Sequence, residues 1–381
     1  MPLNLPPLLD CASVPGVLPL IEALRVGGRP GRKLAARADL LRSTGLRHVA
    51  RRVRQPGRVA RLAELRRGLY DEIWREAAAE VGAEVADLSD GFLELRRGEL
   101  STRVRDRLTT LDDAVTLELA LDKELVTRLL RDAGLPVPEQ VSMHYRSPRL
   151  PGDGAYVVKP ASGTGGGEGT TCGVRTESEL RRAVLRASRS GDRVVVERQA
   201  PGDVYRLLFL DGELLDVVRR GRPRLVGDGR STVDELIEAE NRRRVDSGGR
   251  AGLEVLVVDL DCVFTLGRGG LGLSGVPRAG ELVEVKTVTN ENRAEDNETV
   301  PAAEVGEELV AEARAAVAAV GLRLAGVDVV TPDAGRSLAE AGGVIIEVNG
   351  GPGLHHHYLV KEPAAATRVA VPIVRLLLGA P

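Results

Sequence analysis

Two apolar runs near the C-terminal end of this 381-residue chain carry polar residues where a buried strand would have none: Asp328 within AGVDVV, and Glu347 with Asn349 within VIIEVN. In a strand, residues i and i+2 point to the same face, so Glu347 and Asn349 project together, and a neighbouring hairpin strand brings Asp328 opposite them. Polar strand ends facing water would not be bracketed by apolar residues on both sides. The runs therefore call for a sheet on which two carboxylates and an amide converge. Such oxygens suit magnesium, which takes one or two carboxylates and completes its shell with phosphate oxygens. A chain of this length is expected to build two or three domains around that sheet.

The basic residues point the same way. With five lysines against 48 arginines, a position that keeps lysine calls for a compact ammonium rather than a guanidinium fork. Lys159 ends the strand AYVVKP and leads into SGTGGGEGTT, where glycines free backbone N–H groups to approach phosphate oxygens. The loop lacks the GK[ST] ending of a P-loop and the setting of a dinucleotide fingerprint, and a plain surface turn is its other reading. Lys123 lies on the preceding helix, so two ammonium groups are placed to flank one triphosphate. Asparagine is as scarce as lysine, yet Asn290, Asn292 and Asn297 fall within eight residues.

Other classes are excluded on composition. No apolar run approaches the roughly 18 residues of a membrane span, and MPLNLPPLLD carries prolines and Asp10 where a signal peptide would be basic and then apolar. A cytoplasmic protein without membrane partners is expected. Cys11, Cys172 and Cys262 have no disulfide or zinc spacing. Residues 25 to 67 hold thirteen arginines, but one Trp and eight Tyr or Phe leave few stacking platforms, so no nucleic-acid partner is expected. Most of these arginines read as solvated helix faces, and one or two are expected to bind an anionic substrate.

Periodicity divides the chain into 1–110, an N-terminal α/β domain; 111–139, a linking helix and extended segment; 140–200, a small lid; and 201–381, a mixed-sheet C-terminal domain. Helices are expected over 47–67, 68–82, 111–133, 177–189, 233–244 and 303–320, with another near the C-terminus. A hairpin should turn at Asp90-Gly91. Strands are expected at AYVVKP, RVVVERQ, YRLLFLDGELLDVVRR, EVLVV, ELVEVK, AGVDVV and VIIEVN.

Six blocks in order, DKELVTRLLRDAGLPVP, VVKPASGTGGGEG, VVVERQAPGDVYRLLFLDGELLDVVRR, LVGDGRSTVDELIEAEN, TLGRGGLGLSGVPRAGELV and LAGVDVVTPD…GGVIIEVNGGPGL, resemble the ATP-grasp superfamily, and within it the ATP-grasp part of cyanophycin synthetases. The resemblance covers roughly residues 80 to 355. It implies an α/β (α+β) ATP-grasp fold with an N-terminal α/β domain, a mobile lid subdomain and a mixed-sheet C-terminal domain. It also implies a stand-alone form lacking the Mur-ligase-like module. The phosphate loop here has no histidine, which those loops commonly carry, and residues 1 to 70 align with none of the blocks.

By this resemblance Lys123 and Lys159 hold the α and β phosphates of ATP. The loop Ser162, Gly163, Thr164, Gly165, Gly166 and Gly167 closes over the β and γ phosphates. Glu197, Arg198 and Gln199 meet the adenine edge, with Asp203 near the ribose. Asp328, Glu347 and Asn349 bind two Mg²⁺ ions, for which Mn²⁺ substitutes. Arg206 or Arg219, with Arg293 as a third candidate, stabilises the tetrahedral oxyanion, and Asn290, Asn292 and His355 face the substrate. The implied enzyme is an ADP-forming carboxylate–amine ligase of specialised metabolism, acting on amino acids or a short peptide through an acyl phosphate, with a homodimer also allowed for. A non-catalytic ATP-binding regulatory protein and an ATP-grasp kinase are the alternatives.

Overall fold

The computed structural model describes residues 29–52, 55–162 and 167–380, and four antiparallel sheets organise them. Helix α1 (Arg29–Arg52) is bent at Gly45, and α2 (Gln55–Glu80) follows. The sheet of β1 (Glu84–Ser89), β2 (Phe92–Arg97) and β3 (Leu100–Arg105) packs on α2 and turns at Asp90-Gly91 as expected. The buried stripe Leu69, Tyr70, Ile73, Trp74 and Ala77 of α2 anchors this module, and the Trp74 indole donates to the Asp106 carbonyl at 2.8 Å.

The single helix expected over 111–133 is two, α3 (Ala114–Leu119) and α4 (Lys123–Asp132). The reason is an N-cap in mid-run. The Asp122 carboxylate accepts from the Leu125 amide and starts a new helix, as Asp113 does for α3. This restart puts Lys123 at the first helical position of α4.

The segment expected as a lid holds a sheet in the order β4-β7-β5-β6, made of β4 (Gln140–His144), β5 (Tyr156–Pro160), β6 (Thr171–Val174) and β7 (Arg193–Arg198), backed by α5 (Glu177–Ala187). Thr176 and Glu179 cap α5 reciprocally.

After the hairpin of β8 (Asp203–Leu210) and β9 (Glu213–Arg220) comes a ribbon of β10 (Arg224–Val226) and β11 (Leu282–Glu284), with α6 (Val233–Asp246) and α7 (Leu260–Arg268) between them. The chain then adds β12 (Asn297–Thr299), α8 (Glu307–Val320), β13 (Leu324–Thr331), α9 (Leu338–Ala341), β14 (Val344–Gly350) and α10 (Ala370–Leu377). The main sheet runs β12-β9-β8-β13-β14, with α8 packed on one face through Leu309, Ala313 and Val317. The sheet expected as mixed has only antiparallel pairs among the described residues.

EVLVV, residues 254–258, is not a strand. Side chains take the place of a partner strand there. Asn241 accepts from the Leu256 amide at 2.7 Å and donates to the Leu256 carbonyl at 3.0 Å, Arg244 donates to the Glu254 carbonyl, and Glu291 accepts from the Val257 amide. With these backbone groups satisfied from helix α6 and from Glu291, the segment needs no ladder. Replacing Asn241 by Ala leaves a buried N–H and C=O unpaired. Urea denaturation of Asn241→Ala is expected to show a loss of about 2–4 kcal/mol.

Candidate active site

Pairing within the main sheet assembles the site. Asp328 on β13 lies opposite Glu347 on β14 and opposite Arg206 on β8. Strand alternation then puts Asn349, Arg206 and Arg220 on the face that carries Asp328. The facing strand expected from the sequence is therefore the hairpin partner itself.

Asp328 is buried, and the Arg206 guanidinium grips it with two bonds, Nε to Oδ1 at 2.5 Å and Nη2 to Oδ2 at 2.6 Å. The Asn349 amide adds a donor at 3.3 Å. Burial alone would raise the Asp328 pKa, but Arg206 outweighs it and holds the carboxyl below the usual range. Arg220 is buried beside this pair with far less compensation. Its Nη2 donates to the Thr289 carbonyl at 3.4 Å, Nη1 lies 4.0 Å from Asp328, and Nε has no partner. Burial, reinforced by Arg206, pushes the Arg220 pKa down to about 10. A buried guanidinium so poorly paired is a site for an anion.

Lys123 meets this sheet, and Lys159 lies within electrostatic reach of Lys123. Lys123 at the start of α4 has its Nζ 4.0 Å from Glu347. Burial depresses its pKa; Glu347 opposes the shift and nearby Lys159 adds to it. Lys159 on β5 pairs with Glu197 on β7 at 2.7 Å. Among the described residues no three His, Cys, Asp or Glu side chains gather as a metal cluster. The oxygens this face offers are those of the Asp328 and Glu347 carboxylates and the Asn349 amide, a donor set of the kind that suits magnesium.

The other expected residues are distributed differently. Arg219 is on the opposite face from Arg220 and pairs with Asp203 and Glu298, so neither Arg219 nor Asp203 joins the carboxylate face. Arg293 is engaged by Asp296 at 2.8 Å. Of the segment 197–199, only Glu197 reaches a site lysine. Arg198 is exposed and pairs with Glu139, and Gln199 accepts from the Gly173 amide. Ser162 is exposed, while Gly163, Thr164, Gly165 and Gly166 lie outside the described residues.

The asparagine cluster divides in two. Asn292 donates to the Gly221 carbonyl and to Asn297, which itself donates to the Leu359 carbonyl, so both fasten the loop and Asn292 does not face a substrate. Asn290 instead lies against Gly167, and a Cβ at that glycine would come 3.1 Å from the Asn290 amide nitrogen.

His355 sits on a short 3₁₀ turn, Leu354–His357, and shares a 3.1 Å hydrogen bond with Tyr70 of α2. Two of the N-terminal arginines, Arg32 and Arg58, turn to protein rather than to the cleft. Arg32 donates to the Ser188 carbonyl, pairs with Asp192 and stacks over Tyr145 at 4.3 Å, and Arg58 grips Glu238 with two bonds. Sequence reasoning missed Arg220 and Tyr70. Extending the i, i+2 argument from β14 to β9 would have favoured Arg220 over Arg219.

His357 is fully buried and bonded through Nδ1 to Asp216 at 2.6 Å, and Thr367 donates to the other Asp216 oxygen. Burial lowers its pKa against the opposing pull of Asp216. The unfolded chain therefore takes up this proton first, so stability is full above about pH 6.5 and falls as pH drops through that value, by up to about 1.4 kcal/mol per pH unit. Burial lowers the His355 and His356 pKa values further, so these two add to the same slope; unfolding titrations between pH 7.5 and 5 check this, and His357→Gln is expected to remove only its own share, up to about 1.4 kcal/mol per pH unit.

No family model matches the chain. A cyanophycin synthetase of Nostoc sp. is 31% identical over 317 residues, spanning 77% of this chain and 35% of that protein. The glutathione biosynthesis bifunctional protein GshAB of Enterococcus faecalis is 29% identical over 314 residues, spanning 77% and 40%. This chain thus spans little more than a third of these curated relatives. The crystal structure of a bifunctional glutathione synthetase from Pasteurella multocida matches the fold with a TM-score of 0.50 at 24% identity, over 78% of this chain and 41% of that one. Over about three quarters of its length the chain is thus similar to part of the cyanophycin synthetases, and these likenesses support an ATP-grasp, cyanophycin synthetase-like protein.

Proposed function

We propose that the chain is an ATP-dependent carboxylate–amine ligase that forms an amide or peptide bond between amino acids or a short peptide and releases ADP and phosphate. One observation carries this reading: the sheet face that pairs Asp328 with Glu347 also buries two guanidiniums and is met by the ammonium groups of Lys123 and Lys159. Relatives named for cyanophycin and glutathione synthesis support it.

In this reading Asp328, Glu347 and Asn349 hold Mg²⁺, which when bound neutralises phosphate charge and makes the γ-phosphoryl group open to attack by an anion. Lys123 and Lys159 hold the α and β phosphates, the glycine-rich segment 162–170 closes over the β and γ phosphates, and the adenine meets the backbone end of β7. A substrate carboxylate oxygen attacks the γ-phosphorus and the bond to the ADP oxygen breaks, leaving an acyl phosphate. The amine nitrogen then attacks the acyl carbon, phosphate departs with its bridging oxygen, and the amine loses a proton. Arg206 and Arg220 take the negative charge that develops on the carbonyl oxygen and the phosphate. The enzyme is assigned to the cytoplasm and to specialised metabolism.

A screen of amino-acid pairs, read by ATP consumption and by mass detection of the condensed product, tests the proposal. ADP and phosphate are expected, and AMP with pyrophosphate would refute the acyl-phosphate route. Glu347→Gln is expected to lower turnover by about a thousandfold or more. Arg220→Gln is expected to cost about a hundredfold in kcat while leaving the KM for ATP within about threefold. Turnover of either variant close to that of the parent removes that residue from the mechanism.

A further inference from the structure

Where α1 packs on α5, four arginines, Arg37, Arg182, Arg186 and Arg189, line one groove together with Asp39 and Leu260. None of these residues belongs to the carboxylate face. Two of the guanidiniums have acidic partners. Arg182 grips Asp39 through Nε at 2.9 and 3.1 Å, and Arg186 Nη2 reaches Asp259, the N-cap of α7, at 2.7 Å. Asp259 is itself shared with Lys286 at 2.8 Å. Arg37, which is exposed, and Arg189, which is half-buried, have no ion pair among the described residues.

The donors do not close on one another. Nε of Arg186 and Nε of Arg189 are both buried and have no acceptor. Arginines at a helix C-terminus commonly serve its free carbonyls, which would account for this pair. Here α1 already supplies that service, since Arg32 Nε donates to the Ser188 carbonyl at 3.0 Å and Arg29 donates to that of Ser190. Burial lowers the Arg189 pKa, Arg186 and Arg37 push the same way, and Glu168 opposes them. Even with Asp259 counted in full, four guanidiniums face two carboxylates, a surplus of two positive charges. Like charges with unmatched buried donors are costly until an anion joins them.

Size and charge select that anion. The cavity at the bottom of the groove is about 20 Å³, room for one water-sized group. An oxyanion can set one oxygen there and keep the others at the mouth, whereas a nucleoside cannot enter. A tetrahedral dianion matches the surplus of two and has an oxygen for each orphaned Nε–H, while a carboxylate brings half the charge.

We propose that this groove is a binding site for a phosphate group, held by Arg186 and Arg189 at the end of α5 and by Arg37 of α1, and that the bound group fastens α1 to the segment 140–200. The site is independent of the chemistry assigned to the carboxylate face.

The test is calorimetric titration of the whole chain with sodium phosphate at pH 8, paired with thermal unfolding in phosphate, acetate and chloride at equal ionic strength. The parent should bind phosphate and unfold at a higher temperature in it than in either other salt. Arg37→Gln and Arg189→Gln should each weaken phosphate about tenfold. Neither substitution strands a carboxylate, and each removes a like charge, so in chloride both variants should be at least as stable as the parent. Arg220→Gln, on the carboxylate face, should leave this affinity within about twofold. Phosphate no better than chloride, affinity unchanged in both groove variants, or loss of phosphate binding in Arg220→Gln alone overturns the proposal. A loss of stability as large in chloride as in phosphate marks the arginines as structural and overturns it too. Should Arg189→Gln not fold, the exposed Arg37→Gln decides by itself. Glycerol phosphate distinguishes the sources: binding as tight as phosphate admits a phosphate monoester to the site, and failure to bind restricts the site to the free ion.

Discussion

The centre of the main sheet is held by a buried ion pair. Asp328 stands in β13, an interior strand whose Ala325, Val327 and Val329 are fully buried, and a lone carboxylate there would be prohibitively costly to desolvate. The two-bond grip of Arg206 from the adjacent strand makes it tolerable, and Gly326 makes room for the grip. A Cβ at Gly326 would lie 2.9 Å from Arg206 Cδ and 3.0 Å from Pro352. Removing either partner leaves an uncompensated buried charge, whereas the pair itself contributes little net stability. Its value lies in keeping an ionised carboxylate in register with Glu347 on a rigid strand.

Much of this was legible because strand alternation is a geometric rule. The convergence of Asp328, Glu347 and Asn349 follows from period two and one hairpin, and the structure brings them together as that rule requires. The rule was not extended one strand further. At VVRR the alternation of β9 separates Arg219 from Arg220, and only Arg220 shares the face of Asp328. Two other misses have a different cause. EVLVV has the composition of a strand, yet Asn241, Arg244 and Glu291 satisfy its backbone from outside, and a side chain some 15 residues away in sequence leaves no local trace. The break at Asp122 was visible as a residue type but was hidden by a continuous apolar pattern on both sides of it.

The arginine run at the N-terminal end shows how little charge density alone says about ligands. Arg32 is buried with its guanidinium spent on Ser188, Asp192 and the face of Tyr145. Asp39 takes Arg182 of the lid helix, and Arg58 and Arg66 find Glu238 and Glu254. These pairs join α1 to the back of the lid and α2 to the segment around α6. In composition such a run cannot be told from an anion-binding patch, because the partner carboxylates are 140 to 190 residues away in the chain.

The charge balance of the site gives the proposed chemistry its direction. Lys123, Lys159, Arg206 and Arg220 face Glu197, Asp328 and Glu347, four cations against three carboxylates in a largely buried cleft. A divalent ion entering alone would add positive charge to a cleft already in surplus and would compete with Arg206 for both oxygens of Asp328. A triphosphate entering alone would bring about four negative charges against a surplus of one. The two together bring about two negative charges and leave the cleft near −1, closer to balance than the triphosphate alone, and the phosphate oxygens offer Arg206 an alternative partner to Asp328. Electrostatics therefore favours metal and nucleotide arriving as one complex, and in the proposed reaction Arg220, locally poorly paired at the β9 side of the face, is the guanidinium that meets the carboxylate of the acyl donor.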